Sequence, residues 1–208
     1  MARPPLTTRR LLGLDRSGPP PPETLRQQPL RPLTIPNAIG FARLALVPVF
    51  LAVALSGDGR DGLAFALFAI VAWGDYADGL AARITGQYSR LGALLAPLTD
   101  RDLVIAGAVV AWHFELLPRW ALAVLAAREA LMLVLTQLAL RRGVDIAVNP
   151  LGRFAVWPVM SALALALVVD TWLTDALLYV GLAATLAATV MYVQDGYRRL
   201  RGAPSTST

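Results

Sequence analysis

The residues best suited to chemistry lie between positions 75 and 100. Asp75 and Asp78 are three positions apart, so both carboxylates lie on one helix face, about one turn apart. Gly79 leaves the backbone open to a ligand, and Arg83 carries the charge to meet a phosphate. Asp100 belongs to the next apolar segment. Carboxylates gathered at one depth repel each other unless a cation neutralises them, and oxygen donors without His or Cys favour Mg²⁺, Mn²⁺ or Ca²⁺.

The composition excludes several other kinds of site. Cysteine is absent, which excludes disulfide frameworks, thiolate zinc sites and cysteine nucleophiles. The single histidine, His113, does not make a histidine metal site, and because all 19 basic residues are arginine, lysine Schiff-base chemistry is excluded. The net charge of +5 does not indicate a nucleic-acid partner, because no basic stripe interleaved with aromatic residues is present.

The acidic residues must be positioned by helices that cross a membrane. Of the 208 residues, 56% are apolar and 16% are charged, against about 45–50% and 25% in a soluble protein. Apolar runs occur at 38–56, 62–74, 102–117, 119–140, 154–169 and 172–193. The second and third runs reach a membrane length of about 20 residues only with their acidic flanks, which predicts helices at 62–83 and 92–117. The predicted fold is an all-α, six-transmembrane-helix bundle in which the three aspartates face each other in a polar cavity.

The arginines predict the orientation of this bundle. With the N-terminus inside, 14 arginines lie on the cytoplasmic side, and only Arg60 and Arg119 lie outside. We therefore expect an integral protein of the cytoplasmic (inner) membrane, with both termini cytoplasmic and the polar cavity facing the cytoplasm. Arg43 lies within the first span, where we expect it to pair with a carboxylate or a lipid headgroup rather than to react.

The chain is expected to divide into three parts. Residues 1–33 are rich in proline and arginine and predict a cytoplasmic, largely disordered arm. Residues 34–197 predict the membrane domain, which is surrounded by membrane lipids, and residues 198–208 predict a cytoplasmic tail. A homodimer is a possible oligomeric state that nothing in the sequence decides.

A fixed-spacing motif in the acidic segment resembles that of a known enzyme family. The sequence from Asp75 to Asp100 reads DYADGLAARITGQYSRLGALLAPLTD. It resembles the motif Asp-x2-Asp-Gly-x2-Ala-Arg-x8-Gly-x3-Asp-x3-Asp of the CDP-alcohol phosphatidyltransferases, and seven of its eight positions match. The matching residues are Asp75, Asp78, Gly79, Ala82, Arg83, Gly92 and Asp100. Ala96 stands where the motif has its third aspartate.

The resemblance implies a role for each of these residues. It implies that Asp75, Asp78 and Asp100 bind two divalent metal ions, Mg²⁺ or Mn²⁺, which grip the diphosphate of CDP-diacylglycerol. Asp100 is also implied to be the base that activates the acceptor alcohol. The residues implied to hold the CDP moiety are Asp75, Gly79, Ala82, Arg83 and Gly92. The implied activity is phosphatidyl transfer in phospholipid biosynthesis, with release of CMP.

The alanine at position 96 removes one metal ligand from the set that the resemblance implies. Asp102 does not replace it, because six residues along a helix place it roughly 240° away from position 96. We therefore expect the transferase activity to be impaired.

Other segments resemble the phosphatidylglycerophosphate synthase and cardiolipin synthase branch of this family. The similar segments are residues 33–50, 127–134 and 140–154. This resemblance implies glycerol 3-phosphate or phosphatidylglycerol as the acceptor, with Arg128, Arg142 and Arg153 as candidates for binding its phosphate. Alternatively, Arg128 pairs with an acid on a neighbouring helix, and the other two arginines only set the membrane topology.

Three other functions stay open at the level of the sequence. One is an inactive relative that still binds CDP-lipid, for which Ala96 is the argument. Another is a phosphatidylinositol phosphate synthase. The last is a small cation or proton-coupled transporter that uses the same acids, although the spans show no pair of interrupted segments in corresponding halves.

Overall fold

The computed structural model describes residues 28–141 and 150–200, together with residues 21 and 24. In the two long stretches it describes side chains at 28–96, 98–135 and 155–194. These stretches are helical and contain no β-strand, which confirms the all-α class. The helices are α1 (Ile35–Ser56), α2 (Gly62–Thr85), α3 (Arg90–His113), α4 (Arg119–Arg141), α5 (Pro150–Ala166) and α6 (Trp172–Leu200). Most of the predicted arm, and residues 201–208 of the predicted tail, lie outside the described residues.

The acidic flanks are part of helices α2 and α3, as predicted. Helix α2 continues through the acids to Thr85, and helix α3 begins at Arg90. Helix α3 ends at His113, whereas the sequence predicted a helix to residue 117. The amide of Leu116 donates instead to the carbonyl of Ala111 (2.9 Å), in a turn that leads into α4.

Polar caps determine where the helices around the acids begin. The side chains of Thr34, Asp61 and Ser89 accept hydrogen bonds from the first-turn amides of α1, α2 and α3, respectively. Such caps satisfy amides that have no partner within the helix. The residue after α2 is Gly86, which caps the helix with a left-handed φ of 65° that favours glycine. The connection between α2 and α3 is therefore short, and the two acidic segments lie side by side.

Three helices of the described part are long and apolar enough to cross a membrane. They are α1, α2 and the portion of α6 from Trp172 to Gln194. Helix α3 has 24 residues, but its stretch from Arg90 to Asp102 contains four charged residues, the other two being Asp100 and Arg101. Helix α5 contributes a shorter apolar stretch at Ala155–Ala166.

Three connections between the described helices lie at two opposite ends of the fold. At one end Arg60 and Asp170 form an ion pair (2.9 Å) between the α1–α2 and α5–α6 connections. At the other end Gln87, between α2 and α3, accepts a hydrogen bond from the amide of Ile35 (3.0 Å). The start of α1, the end of α2 and the start of α3 therefore meet, and the acidic residues are nearest to this end.

The helices pack through aromatic contacts and through small residues that let their backbones approach closely. Phe50 and Phe68 pack edge to face in the buried core, with ring centroids 5.4 Å apart. A Cβ on Gly181 of α6 would lie 2.6 Å from Cγ2 and 2.7 Å from the backbone nitrogen of Val159 on α5. Close backbone approach at small residues is the main packing device between helices in membranes. The α5–α6 contact therefore depends on the glycine.

We predict that Gly181→Ala destabilises the fold by about 1–3 kcal/mol, because the added methyl group overpacks a contact with backbone that has little room to move. The measurement is the free energy of unfolding in detergent. Gly40→Ala on α1 is the matched control, because its Cβ would meet only ordinary contacts, the nearest 3.6 Å away. Equal changes in the two variants would contradict the proposed packing role of Gly181.

Candidate active site

A buried arginine joins the three aspartates that the sequence singled out. Arg43 of α1 donates from Nη1 to Asp78 Oδ2 (2.9 Å) on α2 and from Nη2 to Asp100 Oδ1 (2.7 Å) on α3. Its Nη1 is also 3.6 Å from Asp75 Oδ1. The structure thus brings the three aspartates together around one guanidinium. Of the two partners predicted for Arg43, a carboxylate or a lipid headgroup, the structure shows the carboxylate.

The position of Arg43 is fixed by neighbours other than the acids. Its Nε donates to the carbonyl of Val71 on α2 (2.9 Å). A Cβ on Gly74 would lie 2.6 Å from the arginine Cδ, so the side chain reaches the acids only because residue 74 is glycine. Both residues precede the acids on α2, and together they hold the arginine stem along that helix.

The end of the site nearest the α2–α3 connection is closed by a buried amide. Asn37 donates to the carbonyls of Arg31 (2.8 Å) and Pro32 (3.1 Å), and its Oδ1 accepts from Ser89 Oγ (2.8 Å). A Cβ on Gly92 would lie 2.8 Å from Asn37 Oδ1. Gly92, which the sequence assigned to CDP binding, therefore has a packing function in the fold.

The surroundings of Gly79 differ from those of the other site glycines. A Cβ there would meet only the Arg83 guanidinium, with Nη1 at 3.4 Å. The Arg83 guanidinium lies 5.9 Å from the ring centre of Tyr76. Arg83 is more than one helix turn after Asp78, and its neighbour Ala82 is half-buried. The backbone at Gly79 is accessible to an incoming group because only a flexible side chain stands near it.

A second polar cluster joins α3, α4 and α6. Arg128 donates from Nε to Thr189 Oγ1 (3.1 Å) and from Nη1 to Glu129 Oε1. The other oxygen of Glu129 pairs with Arg101 Nε (3.2 Å) on α3. Arg128 therefore pairs with an acid, as one sequence alternative had it, although that acid is its neighbour on α4 rather than a residue of another helix.

The remaining sequence candidates lie in different places. Arg142 lies outside the described residues, and Arg153 belongs to α5 with a side chain that is not described. Ala96 is half-buried on α3, one turn before Asp100. Asp102 lines an apolar groove between α1 and α3 with Leu44 and Val47, so it does not stand in for a carboxylate at position 96.

The sequence pattern of the CDP-alcohol phosphatidyltransferases matches residues 33–190, which is more than half of the chain. The chain belongs to the CDP-alcohol phosphatidyltransferase family. It is therefore placed among the transferases of phospholipid biosynthesis, and the resemblance read from the motif is confirmed.

Relatives of this transferase carry two kinds of name. It is 41% identical over 150 residues to the cardiolipin synthase (CMP-forming) of Streptomyces coelicolor, with 70% of each chain covered. It is 32% identical over 136 residues to the CDP-diacylglycerol–glycerol-3-phosphate 3-phosphatidyltransferase of Bacillus subtilis, covering 59% of this chain and 70% of the relative. It is 33% identical over 112 residues to a probable phosphatidylglycerophosphate synthase of Mycobacterium tuberculosis, covering 52% and 54%. These similarities do not favour the transporter, the inositol phosphate enzyme or the inactive relative.

The donor set of this CDP-alcohol phosphatidyltransferase fits the metal dependence that is general in its family. Its three carboxylates supply only oxygen donors, which suit a hard divalent cation. Asp75 is the most exposed of them, with 48% of its side chain accessible. Within the described residues no three His, Cys, Asp or Glu side chains surround a common ion position, and the Arg43 guanidinium lies among the carboxylates.

Sequence reasoning missed part of what builds the transferase site. Gly74 carries no family signal, and its function follows only from the path of the Arg43 side chain over α2. The sequence did not single out Arg101, although it pairs with Glu129. The sequence offered one signal, the free-energy cost of a charged side chain in an apolar helix, which requires that the charge have a partner. That rule predicts that a partner exists, but not which residue it is.

We predict that Arg43→Met lowers the free energy of unfolding by about 3–5 kcal/mol in buffer without divalent cations, because it leaves clustered carboxylates without their counter-ion. The measurement is unfolding in detergent. Arg60→Met is the matched control, since it removes a more exposed arginine from a pair with Asp170 at the opposite end and should cost about 0–1 kcal/mol. A loss for Arg43→Met no larger than that of the control would contradict the role of Arg43 in the cluster.

Proposed function

We propose that this protein transfers the phosphatidyl group of CDP-diacylglycerol to glycerol 3-phosphate or phosphatidylglycerol and releases CMP. The observation that carries the proposal is the convergence of Asp75, Asp78 and Asp100 from two helices. This convergence lies within the region that matches the family. The names of the relatives supply the two candidate acceptors.

In this proposal Asp100 is the base. It removes the proton of the acceptor hydroxyl, whose oxygen then bonds to the phosphorus of the phosphatidyl group while the bond from that phosphorus to the CMP oxygen breaks. With 36% of its side chain accessible, Asp100 retains one oxygen that does not contact Arg43. The second carboxylate oxygen is thus the one that faces the acceptor.

The other residues hold the substrates. Asp75, Asp78 and Asp100 would bind the divalent cation, Mg²⁺ or Mn²⁺, which supplies positive charge to the diphosphate when it is bound. Gly79 gives the CDP moiety access to the backbone, and Arg83 adds charge beside it. Ala82 and Gly92 complete the CDP site that we propose. We assign the acceptor phosphate to Arg128, Arg142 and Arg153, of which Arg128 is held in place by Glu129 and Thr189.

We further propose that all six helices span the cytoplasmic (inner) membrane, with residues 34–197 as the membrane domain. The α1–α2 and α5–α6 connections lie at one end of the fold and the α2–α3 connection lies at the other, which supports this topology. Helices α3 and α4 are about 35 Å long, enough to cross the hydrocarbon layer. The arm of residues 1–33, the tail of residues 198–208 and the polar cavity at the aspartates then face the cytoplasm. The exposed apolar helix faces would contact lipid or a second copy in a homodimer.

We predict opposite accessibility for cysteines placed at the two ends of this cysteine-free chain. Asp58→Cys, between α1 and α2, should react with an impermeant maleimide in intact cells. Gln87→Cys, between α2 and α3, should react only after the cells are opened, because the arginine bias places it inside. The two variants control for each other. Labelling of position 87 from outside would overturn the orientation.

We predict that Ala96→Asp raises the rate of CMP release by about 10²-fold or more, which is the usual effect of one preorganised charge contact at a reaction centre. Position 96 is one turn before Asp100, so the new carboxylate joins the same helix face. The measurement is CMP release from CDP-diacylglycerol with Mg²⁺ or Mn²⁺ and either acceptor. Asp78→Asn in the Ala96→Asp protein is the inactive control, because it removes a charge from the cluster.

The same assay separates two kinds of failure. Equal and substantial rates for the original and Ala96→Asp proteins would show that three aspartates suffice, and the interpretation of Ala96 would be wrong. Absence of CMP release from both proteins with both acceptors would overturn the proposed function itself.

A further inference from the structure

A buried carboxylate on α4 is shared by two arginines. Glu129 is 7% exposed, and its two oxygens contact different guanidinium groups. Its Oε1 accepts a hydrogen bond from Arg128 Nη1, and its Oε2 lies 3.2 Å from Arg101 Nε on α3. Arg128 is held further by Thr189 Oγ1, which accepts from its Nε (3.1 Å). Arg128 alone therefore gives Glu129 its counter-ion, and Arg101 is a second cation at the same acid.

The terminal nitrogens of Arg101 are available to a ligand. The ion pair with Glu129 is made through Nε, and 23% of the Arg101 side chain is accessible. Among the described residues no other hydrogen bond or ion pair involves Arg101. A guanidinium whose Nε is engaged still presents the N–H groups of Nη1 and Nη2, and this fork matches two oxygens of a phosphate. Arg101 is thus oriented through one nitrogen and open at the other two.

The position of Arg101 on α3 connects it with the proposed base. Arg101 follows Asp100 directly, and successive residues of a helix point about 100° apart. Asp100 accordingly contacts Arg43 on α1, whereas Arg101 contacts Glu129 on α4. The Cα atoms of neighbouring residues are about 3.8 Å apart, so a short alcohol whose phosphate is bound by Arg101 can reach Asp100 with its hydroxyl.

A purely structural function does not account for the second arginine. Two arginines and one acid leave positive charge in excess in this cluster, and an unpaired charge in an apolar helix is costly. Asp102, the next acid along α3, lies in the groove toward α1 and forms no ion pair with Arg101 within the described residues. An anionic ligand at Nη1 and Nη2 would supply the missing partner.

We propose that Arg101 binds the phosphate of the acceptor alcohol, and that Glu129 is the positioning residue that orients Arg101 for this contact. The phosphate accepts hydrogen bonds from Nη1 and Nη2, which places the acceptor hydroxyl at Asp100. Glycerol 3-phosphate carries this phosphate as a monoester, and phosphatidylglycerol carries it as a diester. The inference rests on the proposed function, which it deepens by adding to the acceptor site a residue that lies outside the family motif.

The test is acceptor binding by the purified full-length protein without CDP-diacylglycerol. Glycerol 3-phosphate is titrated by calorimetry, and phosphatidylglycerol in detergent micelles is followed by native mass spectrometry. For the acceptor that the original protein binds, Arg101→Gln and Arg101→Lys should each weaken binding by about 10-fold or more, because both remove the two-pronged contact. Glu129→Gln should weaken it as well, because Arg101 loses its orientation.

Arg119→Gln is the matched control, since it removes an arginine from a pair with Glu115 (2.9 Å) near the α3–α4 connection and should bind like the original protein. Arg101→Lys keeps the positive charge, so it serves if Arg101→Gln does not fold. Unchanged binding in either folded Arg101 variant would overturn the inference, and so would an original protein that binds neither acceptor.

A kinetic measurement separates positioning from a general loss of structure. In the Ala96→Asp protein, Arg101→Gln and Glu129→Gln should raise the KM for the acceptor and leave the KM for CDP-diacylglycerol unchanged. Equal increases in the two KM values would contradict the assignment. Acceptor binding that depends on Arg101, without CMP release in any variant, retains this inference and loses the proposed function.

Discussion

The structure depends on the pairing of one buried arginine with three aspartates. A charge within an apolar helix costs several kcal/mol unless it has a partner, and each charge of this cluster meets that requirement for the others. Because Arg43 is on α1, Asp78 on α2 and Asp100 on α3, the ion pairs fix the relative depth of three helices. The same geometry that stabilises the packing thus aligns the carboxylates that the proposed chemistry requires.

The glycines around this cluster divide into two groups. Gly74 and Gly92 are required by packing, since a Cβ at either would overlap Arg43 or Asn37. Gly79 meets only the flexible end of Arg83. The first group closes the α1 side of the site, and the second leaves a stretch of α2 backbone uncovered. The backbone left open for the proposed substrate is therefore that of α2 beside Arg83.

The sequence was sufficient to predict the helices and the acids, but not how they are held together. The apolar runs before Asp75 and after Asp102 are too short to cross a membrane, so their acidic flanks were predicted to be helical. The structure confirms that both flanks are helical. The membrane cost of a lone charge predicted a carboxylate or a lipid headgroup as the partner of Arg43, and three aspartates were available. Which oxygens it takes depends on Gly74 and Val71, which become neighbours only after α1 packs on α2. Helix periodicity carries no information on that contact.

The order of the ion pairs along the chain has a consequence for biogenesis. Arg43 precedes Asp78 by 35 residues and Asp100 by 57, so the first helix leaves the ribosome well before its partners. Until α2 and α3 are inserted, the charge of Arg43 has no partner, and the insertion of α1 by the translocon depends on the apolar residues of that helix. Once α2 and α3 follow, the pairing locks the three helices into one unit. In the proposed membrane topology, assembly is therefore coupled across the first three helices, and α1 alone lacks the partners of its charge.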